Sequence, residues 1–188
     1  MSWWLILIIV VVVILLIVWI ISLYNRLVRL RVETQQGWAN IDVQLRRRYD
    51  LIPNLVETVK GYAEHERGVF QAVTEARTQA MDAKGVADTG QANTMLARAL
   101  GGLFAVAENY PDLKASSNFL QLQTELANVE EMLAAARRYY NSTVAQYNAT
   151  QNTVPSNMVA KFGDFSEAEF FEEEDEAVRA APQVSFER

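Results

Sequence analysis

The feature that leaves this chain least freedom stands at its start. Residues 3–23 read WWLILIIVVVVILLIVWIISL, with no charged side chain. At about 1.5 Å of rise per residue, roughly 20 helical residues cross a hydrocarbon layer of about 30 Å. Lipid offers the backbone no hydrogen bonds, so a lone segment of this kind must be a helix. Trp3, Trp4, Trp19 and Tyr24 fall near the ends of the run, where amphipathic rings favour the membrane–water boundary. A buried core helix would not need such an unbroken length. A cleaved signal peptide would need a basic start, a shorter apolar stretch and a small-x-small cleavage site. Met1-Ser2 supplies no base, and nothing after Ile21 resembles that site. Residues 1–23 are therefore expected to be a transmembrane anchor, with the lipid bilayer as the first partner. The run lacks the small-xxx-small spacing that lets two spanning helices pack tightly.

Arg26, Arg29 and Arg31 follow the run, and no base precedes it. Positive charge stays on the cytoplasmic side, so the expected topology is single-pass, N-terminus outside and remaining chain in the cytoplasm. The same three arginines can reach anionic headgroups, at about 1 kcal/mol each.

The net charge of -6 is unevenly placed. Residues 164–188 carry nine acids against two bases, which leaves the rest of the chain near neutral. Neither part has the basic face of a nucleic-acid binder, and no nucleic-acid partner is expected. There is no cysteine, which removes disulfides, thiolate metal sites and a lipidated-cysteine anchor.

From Tyr24 onward the apolar pattern is helical, with no useful strand-like alternation. Leu27, Thr34, Trp38, Ile41 and Leu45 share one stripe that continues the anchor, with Gly37 as a weak point. Asp50 and Pro53 suggest a turn and a restart, since Asp caps well and Pro suits a first turn. The next helix is expected over about 53–84, with Leu55, Val59, Tyr62, Val69, Val73, Ala76 and Ala80 inward. Residues 85–90 read as a loop. A third helix over about 91–109 has Met95, Ala99, Leu103, Val106 and Tyr110 in register, and Tyr110-Pro111-Asp112 ends it. The last helix carries Phe119, Leu122, Leu126, Val129, Leu133, Ala136, Tyr140, Val144 and Tyr147 on alternating three- and four-residue steps. This stripe suits an intermolecular coiled coil, but the helices beside it make an intramolecular bundle the better reading. The expected fold is all-α: a transmembrane helix continuous with an antiparallel up-and-down helical bundle over 24–153, then an acidic tail over 154–188. Past Val154-Pro155 the helical signal fades. Phe162, Phe165, Phe170 and Phe171 are apolar islands in the tail, and two readings stay open. Either the tail is flexible, or these aromatics dock on the bundle or a neighbour while the acids remain in water.

The run Ile41-Asp42-Val43-Gln44-Leu45-Arg46-Arg47-Arg48-Tyr49-Asp50-Leu51-Ile52-Pro53-Asn54-Leu55-Val56 closely resembles the signature of the LemA family of bacterial membrane proteins. Tyr24-Asn25-Arg26-Leu27-Val28, residues 105–114, Asn118-Phe119, Leu122-Gln123, Glu125-Leu126, the residues 136–141, Phe162-Gly163 and residues 182–186 fit the same pattern in order. Val129-Glu130-Glu131-Met132 departs from it, relatives being more polar after the first Glu. The resemblance implies an N-terminal anchor in the bacterial cytoplasmic membrane and an antiparallel helical bundle. It implies no biochemical activity.

A helix from residue 23 to residue 50 would climb about 40 Å. With the helices alternating in direction, Arg47, Arg48, Asp50, Pro53 and Asn54 are expected to meet Tyr110, Pro111, Asp112 and Lys114 at a membrane-distal tip. This tip is a candidate interaction site. The plainer and preferred reading is that these residues cap and brace turns, with Arg47 or Arg48 paired to Asp50 or Asp112. The acidic tail is expected near the membrane.

Catalytic patterns are not visible. His65, the single histidine, cannot build a multi-histidine metal site and reads as an exposed helix residue. There is no glycine-serine-glycine nucleophile elbow, no phosphate-cradling loop, and no Glu-x-x-His repeat of the kind that holds metals in bundles. Gly101-Gly102 lies within a helical pattern. No cofactor or metal is expected, and the chain is read as a non-enzyme. The favoured function is a membrane-anchored scaffold that self-associates as a homo-oligomer. An adaptor or regulatory subunit of a membrane enzyme or protease is the second reading, with an unknown membrane-protein partner, and an enzyme is the third.

Overall fold

The computed structural model describes residues 3–172. The remainder of the acidic run, and the segment 182–186 that entered the family resemblance, lie outside the described residues. Among the described residues there are six helices and no strand: α1 (Trp3–Lys60), α2 (Arg67–Asp82), α3 (Val86–Glu108), α4 (Pro111–Lys114), α5 (Ser117–Asn152) and α6 (Ser156–Phe162). The all-α expectation holds. The contacts divide the chain into two units. Among the described residues, one takes 3–42 and 134–170 and the other 43–133 and 171–172, so α1 and α5 each supply both.

In the first unit, the apolar residues 3–21 of α1 stay 46–63% exposed. This stretch is long and apolar enough to cross a membrane. Beyond it α1 buries Leu27, Thr34 and Ile41, while α5 buries Tyr140, Val144 and Tyr147. The Trp38 and Tyr140 rings meet at 5.6 Å, and Gly37 is buried beside the Tyr140 backbone. A smaller cluster of Leu27, Tyr147, Ala160 and Phe165 brings in α6 and the segment after it. The end of α6 is closed by hydrogen bonds from the Gly163 amide to the Val159 carbonyl and from the Phe165 amide to the Ala160 carbonyl. Asp164 takes the left-handed conformation there (φ 53°), which Asp tolerates better than most residues.

In the second unit, α1 continues through Pro53 to Lys60 as one helix, contrary to the expected restart. The chain reverses over residues 61–66, α2 and α3 form a hairpin, and α4 leads into α5. The connection at 83–85 is shorter than the expected loop, and Gly85 (φ 83°) supplies a backbone turn that side chains disfavour. The rest of the expected loop is the first turn of α3. Leu45, Ile52, Leu55, Val59, Val73, Leu96, Leu100, Leu103, Leu113, Leu126 and Leu133 are buried. On α3 the inward face is Thr89, Asn93, Leu96, Leu100, Leu103 and Ala107, one step from the expected stripe, and Met95 is 48% exposed. Tyr62 likewise points out, because it lies in the reversal rather than in a helix. The α5 stripe is occupied inside the units: Phe119, Leu126, Val129 and Leu133 are buried in the second, and Tyr140, Val144 and Tyr147 in the first.

Candidate functional site

Pro53 has no N–H, so within a helix it leaves the carbonyl of residue 49 without its usual donor. Arg77 of α2 fills that gap: its Nε donates to the Tyr49 carbonyl at 2.7 Å. Beside it, Arg48 is almost fully buried and carries its charge to Glu130 on α5, Nε to Oε1 2.6 Å. The Arg48 Nη1 also donates to Asn93 Oδ1 at 3.3 Å. Asn93 is fully buried; its Nδ2 donates to the Thr89 carbonyl at 2.8 Å and to the Tyr49 hydroxyl at 2.9 Å. Side chains from α1, α2, α3 and α5 thus converge on one level of the second unit. The chemistry of this network is that of a brace: it fixes register, since a one-turn slip would strand the Arg48 guanidinium in apolar surroundings.

In the first unit the segment after α6 is strapped along α5. Gln151 Nε2 donates to the Phe165 carbonyl at 2.7 Å, the Tyr147 hydroxyl to the Ser166 carbonyl at 2.9 Å and the Tyr140 hydroxyl to the Glu169 carbonyl at 2.8 Å. Asn148 holds Ala168 at both main-chain groups, donating to its carbonyl at 2.9 Å and accepting from its amide at 3.0 Å. Burial raises the Tyr140 hydroxyl above its usual pKa, with a further push from Glu169. Burial also raises Tyr147, against a smaller opposing effect of Arg31. The next two residues belong to the second unit, where Phe171 is buried and the Glu172 carbonyl lies on the bare Cα of Gly90.

The residues expected at a distal tip are only partly brought together. Arg47, Asp50, Pro53 and Asn54 are exposed on the flank of α1, roughly two to four turns before its end. Arg48 is buried and pairs with Glu130, not with Asp50 or Asp112. Tyr110, Pro111, Asp112 and Lys114 do sit at a helix end, with Pro111 opening α4 and all but Tyr110 exposed. Because α1 lasts to Lys60 instead of stopping near Pro53, the chain reverses over 61–66 rather than at the expected turn. His65 is exposed within that reversal, not on a helix.

Of the tail aromatics, Phe165 and Phe171 are buried, Phe170 is partly exposed and Phe162 is 94% exposed. Of the residues expected at a membrane boundary, Trp3 and Trp4 meet with ring centroids 4.1 Å apart at the start of the apolar run. Tyr24 meets Phe165 edge-on at 5.5 Å, and Arg26, Arg29 and Arg31 are exposed. Sequence reasoning missed Arg77, Asn93, Glu130, Asn148 and Gln151. Asn93 left one trace: a polar residue on a three- and four-residue apolar spacing with Leu96, Leu100 and Leu103.

Among the described residues no group of three or more His, Cys, Asp or Glu could hold a metal ion. The model of the LemA family matches residues 37–186. The chain belongs to the LemA family. The match covers α1 from Gly37, the polar brace, the strap and part of the acidic tail. Among relatives, magnetosome protein MamQ 2 of Paramagnetospirillum magneticum is 28% identical over 183 residues, covering 84% of this chain and 67% of the relative. MamQ of Magnetospirillum gryphiswaldense is 25% identical with the same coverage. Protein LemA of Metamycoplasma hominis is 27% identical over 150 residues, covering 79% of this chain and 68% of the relative. None of these names states a catalysed reaction. This LemA-family chain is a membrane-associated helical protein.

Proposed function

We propose that this LemA-family protein is a non-enzymatic scaffold, anchored in the cytoplasmic membrane, that self-associates and organises the bilayer or the proteins within it. The observation that carries the reading is α1, a single helix of 58 residues. It begins as an exposed apolar span and continues into residues that build the core of both units. An anchor joined by a flexible linker leaves its domain free to reorient; an anchor that shares a helix with the core does not. Rigid attachment suits a protein whose task is placement. The polar network at Arg48, Asn93 and Glu130 joins α1, α3 and α5 by side-chain pairing, which suits a brace better than a reaction centre. Exposed Arg26, Arg29 and Arg31 support an outside N-terminus and cytoplasmic units.

The test is the mass of the solubilised full-length protein by light scattering, beside a form that starts at Tyr24. A large, discrete full-length particle with a small truncated form supports a scaffold assembled through its anchor. A full-length particle of one or two chains removes the scaffold. It would favour an adaptor that engages a partner through the exposed Pro111, Asp112 and Lys114.

A further inference from the structure

Helix α6 is built inside out. Its small residues Ser156 and Ala160, four apart, are buried. Its large apolar residues Met158 and Phe162, also four apart, lie on the opposite face at 61% and 94% exposure. Val154, in the turn that leads into α6, is 68% exposed. A helix resting on a core in water shows the reverse arrangement. Asn157 and Lys161 sit on one flank, between the two faces.

The position of this helix says what its outer face meets. Met158 and Phe162 line a groove of about 590 Å³ whose other wall is Trp19, Ile20, Leu23 and Tyr24 of α1. All belong to the same unit. A span that starts at Trp3 uses up the roughly 30 Å of hydrocarbon near residue 22 or 23. The groove wall therefore straddles the boundary between acyl chains and headgroups. A surface continuous with a membrane span at that depth is in lipid, and aromatic and thioether side chains are stable there. Exposed Lys161 beside it can reach phosphate.

We propose that α6 is a second membrane-contacting element: it lies in the interface with Val154, Met158 and Phe162 inserted, and acyl chains fill the groove against α1. This rests on residues 3–23 spanning the bilayer. The two contacts together would fix the tilt of α1 at the membrane surface, which one span alone does not.

The chain has no cysteine, so single nitroxide labels can be placed cleanly. The full-length protein in phosphatidylcholine–phosphatidylglycerol nanodiscs would carry Phe162→Cys, Met158→Cys, Thr78→Cys or Val12→Cys, each spin-labelled. Accessibility to oxygen, which partitions into lipid, is compared with that to a water-soluble nickel chelate. Oxygen is expected to dominate at positions 158, 162 and 12, with the ratio reversed at Thr78 on the exposed face of α2. Position 12 in lipid with 158 and 162 open to the nickel chelate overturns the proposal and leaves the anchor standing. Nickel access at position 12 as well overturns the anchor itself. Immobile labels at 158 and 162, shielded from both reagents, mean that protein covers this face, which also overturns the proposal.

Discussion

The guanidinium Nε of Arg77 lies 2.7 Å from the Tyr49 carbonyl, the acceptor that Pro53 leaves without a helical donor. A charged group from α2 thereby meets the carbonyl that α1, continuous through Pro53, would otherwise leave without a donor. Arg77→Met should cost about 1–3 kcal/mol, the usual effect of stranding a partly buried hydrogen-bonding group. Pro53→Ala restores an N–H to the same carbonyl, so Arg77→Met should cost less in that background. A double-mutant cycle by chemical denaturation of the full chain in mild detergent measures the coupling. Additive losses would show that Arg77 acts elsewhere.

Glu130 partners a guanidinium that is only 4% exposed, although Glu130 itself is 40% exposed. Glu130→Ala should destabilise by about 1–3 kcal/mol, below the figure for a fully buried pair because water reaches one side. Arg48→Met added to Glu130→Ala should recover part of that loss by removing the stranded charge. Denaturation midpoints of the single and double variants check the order.

A Cβ on Gly90 would collide with the Glu172 carbonyl. Gly90 lies inside α3, where Ala would otherwise favour the helix by up to about 1 kcal/mol. Gly90→Ala should therefore displace residues 171–172 while leaving α3 intact. Hydrogen exchange is expected to rise in the C-terminal segment and stay unchanged in α3; a protected segment would contradict the packing seen here.

Tyr140 and Tyr147 hold the strap through neutral hydroxyls whose pKa is raised in the folded state. Their contribution is fully present below the ordinary tyrosine value near 10 and is lost as pH climbs through the raised folded values. The strap should loosen at alkaline pH, with exchange at 166–169 rising before the helices melt. Tyr140→Phe and Tyr147→Phe together should weaken the strap at neutral pH and flatten this alkaline dependence.

The parts legible in the sequence were those written as long apolar periods. Residues 3–21 announce a helix long and apolar enough to cross a membrane, and α5 announces its inward face from Phe119 to Tyr147. Pro53 misled because its compensation comes from Arg77, whose acceptor lies 28 residues away. Gly90 read as a loop residue because its role is close approach to Glu172, not a turn. The seven residues of α6 are too few for periodicity to show, and its apolar face points away from the core. From the sequence, the strap reads equally as flexible or docked. Asn148, Gln151 and the two tyrosines grip main-chain groups, and such bonds leave no apolar pattern to read. The candidate tip is not assembled as expected, because α1 runs on through Pro53 to Lys60 and leaves Arg47, Asp50, Pro53 and Asn54 on its flank.

Self-association in the bilayer is the claim on which the functional account turns. Its most direct test is counting photobleaching steps per spot for the full-length protein, labelled at a single introduced cysteine on exposed Thr78, in vesicles of decreasing protein density. A self-associating scaffold gives spots of many steps whose number holds steady on dilution. One or two steps per spot at every density would contradict it.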